Sequence, residues 1–302
     1  MDILGALTAT GDAVGDTFFS IENLRGSDFA DSLRGSNIDN LIQGGDGDDQ
    51  LFGIRGNDTL EGDAGADTLF GEDGADVLNG GAGDDRLVGG AEGDLLIGGA
   101  GADRLVGGDG FDIASYETAT VRVRVDLSGG LSETGDAAGD LFSSIERIVG
   151  TDFADILIGD GAANDFAGGA DDDRLVGNGG ADTLTGGTGA DRLIGGSEAD
   201  VFVFDDGDSG VGAAARDLIV DFDQSDGDLI DLSAIDAAVL FGGDQAFVFI
   251  GNAAFTGAGG EVRFEAVGGD TVIQADTTGF LITSFEIELR GAVTLVEGDF
   301  IL

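Results

Sequence analysis

Carboxylates recur in this chain at a spacing able to hold a hard cation. From Gly26 to Ser115 the sequence tiles into ten nine-residue repeats, and from Gly150 to Val203 into six more. Glycine opens all sixteen. Position six is Asp in fourteen: Asp31, Asp49, Asp58, Asp67, Asp76, Asp85, Asp94, Asp103, Asp112, Asp155, Asp173, Asp182, Asp191 and Asp200. It is Asn in two, Asn40 and Asn164. One Asp in a turn is ordinarily a solvated residue, but sixteen registered positions stack one above another. Each then lies beside main-chain carbonyls freed by the turn, those of Gly44, Gly53, Gly62, Gly71, Gly80 and Gly89 among them. An all-oxygen cage of this kind suits Ca²⁺, which takes six to eight oxygen ligands at roughly 2.3–2.6 Å; Mg²⁺ demands a tighter octahedron and keeps its waters.

The elements that position these groups follow from the same period. Position eight is a large apolar residue in every repeat but one, where Ala114 stands. The residues after each Asp, as in Gln50-Leu51-Phe52, predict a short strand with one inward side chain, by the period of two. The glycines are expected to make the turns through positive φ. Two repeats then form the opposite sides of an eighteen-residue coil, and repeat n lies over repeat n+2. The expected fold is all-β, a parallel β-roll solenoid with a C-terminal β cap.

At these residues the chain resembles the RTX (hemolysin-type) calcium-binding repeat proteins. The resemblance implies Ca²⁺ between the turns of repeats n and n+2. On this numbering the first block pairs Asp31/Asp49, Asn40/Asp58, Asp49/Asp67, Asp58/Asp76, Asp67/Asp85, Asp76/Asp94, Asp85/Asp103 and Asp94/Asp112. The second pairs Asp155/Asp173, Asn164/Asp182, Asp173/Asp191 and Asp182/Asp200. Position four departs from Gly at Phe29, Ile38, Glu92, Phe153, Ala162, Asp171 and Glu198, which weakens the first two repeats of each block as sites.

Composition excludes much else. Formal net charge is −47, from 60 acidic residues against 13 basic ones, all Arg, so nucleic acid and anionic membrane are excluded as electrostatic partners. Twelve divalent ions, one per pair, would offset about half of that charge. There is no Cys and no His, hence no disulfide and no imidazole or thiolate zinc site. An HExxH peptidase helix and His-activated nucleophiles are impossible, and no Lys offers a Schiff base. A carboxylate-pair glycosidase is compatible with the residue types, but nothing marks one pair out. The chain is therefore expected to be non-catalytic. No stretch approaches the apolar length of a transmembrane helix. The first residues, Met1 to Leu7, lack the basic and apolar regions of a secretory signal peptide.

A longer duplication frames the blocks. Asp2–Gly35 matches Asp126–Gly159 at an offset of 124, with Asp16 and Asp140 in the liganding place. The expected organisation is a spacer coil at 1–25, roll block one at 26–115, a stretched spacer coil at 116–149, roll block two at 150–203 and a cap at 204–302. An alternating strand, Val121 to Val125, leads into the second spacer and has no counterpart before the first, as if the chain were a piece of something longer. In the cap, Asp217 and Asp228 are weak ligand candidates. Strands are expected at 247–250, 261–265, 271–275 and 285–290.

Residues 197–302 resemble the C-terminal domain of serralysin-type secreted metalloproteases. The matching runs are Ser197 to Phe204, Asp228 to Asp236, Gln245 to Gly251, and Asp299-Phe300-Ile301-Leu302. The resemblance implies an uncleaved signal for a type I (ABC) exporter; residues 275–280 depart from it and read as a lost minor site. The leading function is a secreted, extracellular calcium-binding module that folds on Ca²⁺ and supports type I secretion. One alternative is a polysaccharide- or surface-binding module, resembling the repeat modules of alginate epimerases or adhesin stalks. In that case Arg86, Arg104, Arg174 and Arg192 would line a face, although they are expected to pair with neighbouring acids. Another is the tail of a secreted metalloprotease whose catalytic domain is absent.

Overall fold

Twelve of the sixteen repeats feed a six-residue strand that starts at position seven and runs through the first three residues of the next repeat; the first and last repeats of each block give three-residue strands. The computed structural model describes residues 22–130, 134–237 and 245–302. The first-copy spacer to residue 21, with Asp16, lies outside them. The strands are twice as long as expected because the opening glycine faces inward and lets the parallel ladder continue beyond it. In Gln50–Arg55, Leu51 and Gly53 are both buried and Phe52 half-buried.

The chain divides into two compact halves, one ending at Val149 and one running from Gly150 to Leu302. In the first, the strands are β1 (Asn23–Arg25), β2 (Ser32–Arg34), β3 (Leu41–Asp46), β4 (Gln50–Arg55), β5 (Thr59–Ala64), β6 (Thr68–Asp73), β7 (Val77–Ala82), β8 (Arg86–Ala91), β9 (Leu95–Ala100), β10 (Arg104–Asp109), β11 (Ile113–Ser115), β12 (Arg124–Asp126), β13 (Leu141–Ser143) and β14 (Arg147–Val149). Through β11 the odd and even strands separate into two parallel sheets, which β14 and β13 then join, as β1-β3-β5-β7-β9-β11-β14 and β2-β4-β6-β8-β10-β13. The register is one coil: Leu51 pairs with Leu69 and Leu60 with Leu78, eighteen residues apart. The core is therefore two facing ladders, Ile42, Leu60, Leu78 and Leu96 against Leu51, Leu69, Leu87 and Leu105, all fully buried.

The spacer joins this stack. Phe142 of β13 pairs with Leu105, and Ile148 of β14 with Ala114. The alternating Val121–Val125 segment forms only β12 at its end, while Val123 and Val125 are buried and Val121 is exposed.

In the second half the strands are β15 (Ile156–Ile158), β16 (Asp165–Ala170), β17 (Arg174–Gly179), β18 (Thr183–Thr188), β19 (Arg192–Ser197), β20 (Val201–Val203), β21 (Asp217–Ile219), β22 (Leu229–Asp231), β23 (Val248–Phe249), β24 (Glu261–Val267), β25 (Asp270–Asp276), β26 (Phe285–Leu289) and β27 (Phe300–Ile301). One sheet runs β16-β18-β20-β22-β27, the other β15-β17-β19-β21-β26-β25-β24-β23. The parallel pattern persists through β21/β26 and β22/β27, then turns antiparallel across β26, β25 and β24. Larger rings replace Leu here: Phe166, Phe202 and Phe204 are fully buried.

Because Leu69 is enclosed by its ladder neighbours, Leu69→Ala should leave a cavity and lower stability in calcium by about 2–5 kcal/mol. Thr68→Ala, half-buried on the outer face, should stay within about 0.5 kcal/mol. Urea unfolding monitored by circular dichroism checks this; equal effects of the two substitutions would refute the ladder as the core.

Candidate metal centre

The sixth-position residues form columns within each half, each resting on one repeated hydrogen bond. The N–H of Asp31 donates to Asp49 Oδ1, that of Asp49 to Asp67 and that of Asp67 to Asp85, all at 2.7 Å. On the other side Asn40 donates to Asp58, Asp58 to Asp76 and Asp76 to Asp94, at 2.7–2.8 Å. Asp85/Asp103, Asp94/Asp112, Asp155/Asp173, Asn164/Asp182, Asp173/Asp191 and Asp182/Asp200 are joined in the same way. The structure thus brings together every pair inferred from the sequence. Each pair meets, however, as an amide and a carboxylate rather than as two carboxylates.

The second oxygen of each carboxylate is the unusual one. Oδ2 of Asp49, Asp58, Asp67, Asp76, Asp85, Asp94, Asp103 and Asp112, and of Asp173, Asp182, Asp191 and Asp200, is buried without a hydrogen-bond partner. Buried polar atoms are nearly always paired, so twelve equivalent exceptions require an explanation. Each Oδ2 is aimed at the opening glycine of its own repeat. A Cβ built on Gly44 would collide with Asp49 Oδ2 and lie 2.9 Å from the Gly62 carbonyl; at Gly53 it would meet Asp58 Oδ2 and the Gly71 carbonyl. Glycine is required here by this close approach and not by φ, which corrects the expectation for position one. Positive φ is found instead at positions two and four, as at Gly45 (109°) and Gly47 (119°). Among the described residues no three carboxylates converge into a ready-made cluster, and the carbonyls of Gly62, Gly71, Gly80 and Gly89 approach the same space as the Oδ2 atoms. Hard oxygens around an unsatisfied, desolvated anion fit a calcium ion.

The first two repeats of each block differ. Asp31 Oδ2 accepts the Ser27 N–H at 2.6 Å and Asp155 Oδ2 accepts that of Thr151 at 2.6 Å. Asn40 and Asn164 Oδ1 accept N–H groups from Ser36 and Asp160. Their own loops satisfy them, because Phe29, Ile38, Phe153 and Ala162 lack the positive φ that opens the turn. Glu92, Asp171 and Glu198 keep a positive φ, at 70°, 65° and 80°, below the 98–156° of the glycines that hold this place in the other repeats.

Further carboxylates extend the columns. Asp140 Oδ1 accepts the Asp103 N–H and Asp217 Oδ1 that of Asp191, both at 2.8 Å, and Asp228 Oδ1 accepts that of Asp200 at 3.0 Å. Glu146 takes the Asp112 N–H at 2.9 Å. Sequence reading passed over Glu146, since a separation of 34 breaks the period and leaves no signal. In the 275–280 segment, the Asp276 carboxylate accepts bonds from Thr278, Gly279 and Leu281. Arg86 lies over the Phe70 ring, 5.2 Å from its centre, instead of pairing with an acid. Arg104 and Arg174 likewise form no ion pair among the described residues.

Burial, reinforced by neighbouring carboxylates and opposed by the donated N–H, raises the column pKa values. Asp67, Asp85 and Asp182 rise to about 6, and Asp58, Asp94, Asp103, Asp191 and Asp200 to about 7. Asp173 rises to about 8. A carboxyl raised in the folded state binds protons there that the unfolded chain has released. The stability it confers is full below the unfolded pKa near 4 and is lost as pH rises through 6–8. In chelator, therefore, the melting temperature should fall between pH 5 and pH 8. A flat or rising profile would contradict the burial of these groups as acids.

The family model for the RTX calcium-binding nonapeptide repeat (four copies) matches residues 25–60, 52–87, 79–114, 142–175 and 176–211. Among curated proteins no sequence matches significantly. Among solved structures, the chain is similar to the AlgE6R2 subunit from the Azotobacter vinelandii mannuronan C5-epimerase, at 28% identity over 52% of this chain and 92% of that one, with a TM-score of 0.36. It is also similar to the AlgE6R3 subunit of the same epimerase, at 18% identity over 91% of this chain and 80% of that one, with a TM-score of 0.22. The family model spans more than half of the chain, over the repeats whose aspartates form the columns, and the protein belongs to the RTX calcium-binding nonapeptide repeat family.

Proposed function

We propose that this chain is a non-catalytic calcium module whose repeats fold on Ca²⁺ and whose C-terminal segment supports type I secretion of an extracellular protein. The observation that carries the reading is the set of twelve buried Oδ2 atoms without partners. The ligands would be Asp49 to Asp112 and Asp173 to Asp200 at position six, with carbonyls of the opening glycines. Asp31, Asn40, Asp155 and Asn164 close the columns through their amides. Desolvated carboxylates oppose folding unless they are neutralised. An ion bound by the folded state alone therefore contributes its binding free energy to folding.

Export fits that dependence. A type I exporter passes an unfolded chain, and extracellular modules of this kind bind calcium at roughly 10⁻⁴–10⁻³ M, far above cytosolic levels. In the folded chain Phe300 and Ile301 are paired with Ile230 and Asp231 of β22, and Asp299 accepts the Val296 N–H. The terminal residues would be free for an exporter only before folding. The serralysin-like reading of residues 197–302 belongs to the same proposal.

A second reading, a polysaccharide-binding module, is favoured by one face. At the first and third places of β2, β4, β6, β8, β10 and β13 the outward residues are Ser32, Arg34, Gln50, Phe52, Thr68, Phe70, Arg86, Val88, Arg104, Val106, Leu141 and Ser143, with no acid among them; the exposed acids Glu72, Asp73 and Asp109 stand at the far ends of β6 and β10. Phe52 and Phe70 stack there at 5.1 Å. Rings beside arginines can hold a sugar chain by stacking and hydrogen bonding.

Circular dichroism of the chelated protein at pH 7.5 should show lost β signal that returns with calcium; unchanged signal and melting would refute coupled folding. Deleting Asp299–Leu302 should retain the protein inside cells that carry a matching exporter, and secretion at the full-length rate would remove the export reading. For the second reading, affinity electrophoresis through soluble polysaccharides should show retardation that Phe52→Ala together with Arg104→Ala abolishes. Equal mobility with and without glycan would eliminate it.

A further inference from the structure

Four carboxylates beyond the tandem repeats extend the columns, and three of them are accounted for without an ion. Asp140 Oδ2 accepts the Tyr116 hydroxyl at 2.6 Å, and Asp228 Oδ2 accepts the Asp223 N–H at 2.8 Å. Glu146 is only half-buried. Asp217 is different: it is fully buried, Oδ1 takes the Asp191 N–H, and Oδ2 has no partner. Asp191 Oδ2, one coil away, is in the same condition.

The surroundings are built rather than accidental. Between Asp191 and Asp217 the chain makes an insertion, and its Asp205–Ser209 loop takes the place of a nonapeptide turn. Ser209 bridges to Gly189 in parallel, and the Gly189 N–H donates to the Asp208 carbonyl at 3.4 Å. Asp208 is 7% exposed, and its Oδ2 accepts the Asp205 N–H at 2.6 Å. Ser209 Oγ accepts the Asp217 N–H at 2.9 Å while donating to the Glu286 carbonyl at 2.5 Å. The nearest cation in sequence, Arg216, is engaged with Glu286 at 3.1 Å and with Glu288. Three buried or nearly buried acids thus lie around one loop, and among the described residues none of them has a basic partner.

We propose that this junction is a further calcium site, held by the carboxylates of Asp217 and Asp191 with oxygen donors of the 205–209 loop, outside the nonapeptide pattern. It rests on the reading of the repeats as calcium sites. All the donors are hard oxygens, which select calcium over softer metals. The site joins the roll to the cap, because β21, which carries Asp217, lies between β19 and β26. Calcium there fastens the antiparallel cap to the last parallel coil.

Equilibrium dialysis of the full chain with radiocalcium, counting bound equivalents, tests the site. Asp217→Asn keeps the shape and the Oδ1 bond, and should bind one equivalent fewer than the unaltered chain. Asp67→Asn, within the repeats, reports separately on the repeat reading. Loss in Asp67→Asn with an unchanged count in Asp217→Asn overturns the junction site alone. An unaltered chain that binds no calcium overturns both. Should Asp217→Asn fail to fold, Asp208→Asn gives the same readout from the loop. One equivalent bound at least tenfold more weakly then supports the site, and an unchanged isotherm overturns it.

Discussion

Within each half the roll depends on one hydrogen bond repeated along every column, the N–H of a sixth-position residue to the Asp Oδ1 of the next coil. It fixes the vertical register and draws each carboxylate inward. It also uses only one of the two oxygens. The glycine at position one follows, because a side chain there would occupy the space into which Oδ2 points. So does the narrow core, which over most of the roll takes one large apolar side chain per strand.

The same bond creates the energetic problem of the fold. A donated N–H is worth about 1.5–3 kcal/mol when its acceptor is charged, whereas a buried ionised carboxylate without a counter-charge costs several. Repeated along parallel columns, the deficit grows with every coil, as the raised pKa values indicate. The leucine ladders offset it in part. On the proposed reading, an ion held at each unpartnered oxygen would offset that deficit.

At the ends of the columns the carboxylates find partners within the protein. At the start of each block, Ser27 and Thr151 satisfy the carboxylate within its own loop. In the spacer, Tyr116 supplies a phenol where other coils leave an oxygen unpaired. These coils are stabilised by ordinary protein donors.

Much of this was legible in the residues themselves. A period of nine with fixed Gly, Asp and Leu positions determines coil length, parallel register and the pairing of sixth-position residues, because strand alternation and turn size leave no other arrangement. Asp140 was also legible, from the degenerate motif around it. Other features were decided only by the tertiary structure. That position-one glycine serves close approach, and not a turn, depends on where the Asp of the same repeat and a carbonyl two repeats on come to lie. That Glu146 substitutes for an Asp and that Val121–Val125 yields only a short strand depend on insertions of irregular length, whereas Arg86 stacks on Phe70 inside the regular ladder, where the choice of neighbouring side chains sets the partner. Periodicity predicts contacts only while the period holds, and beyond it the partners are set by how the inserted chain packs back on the coil.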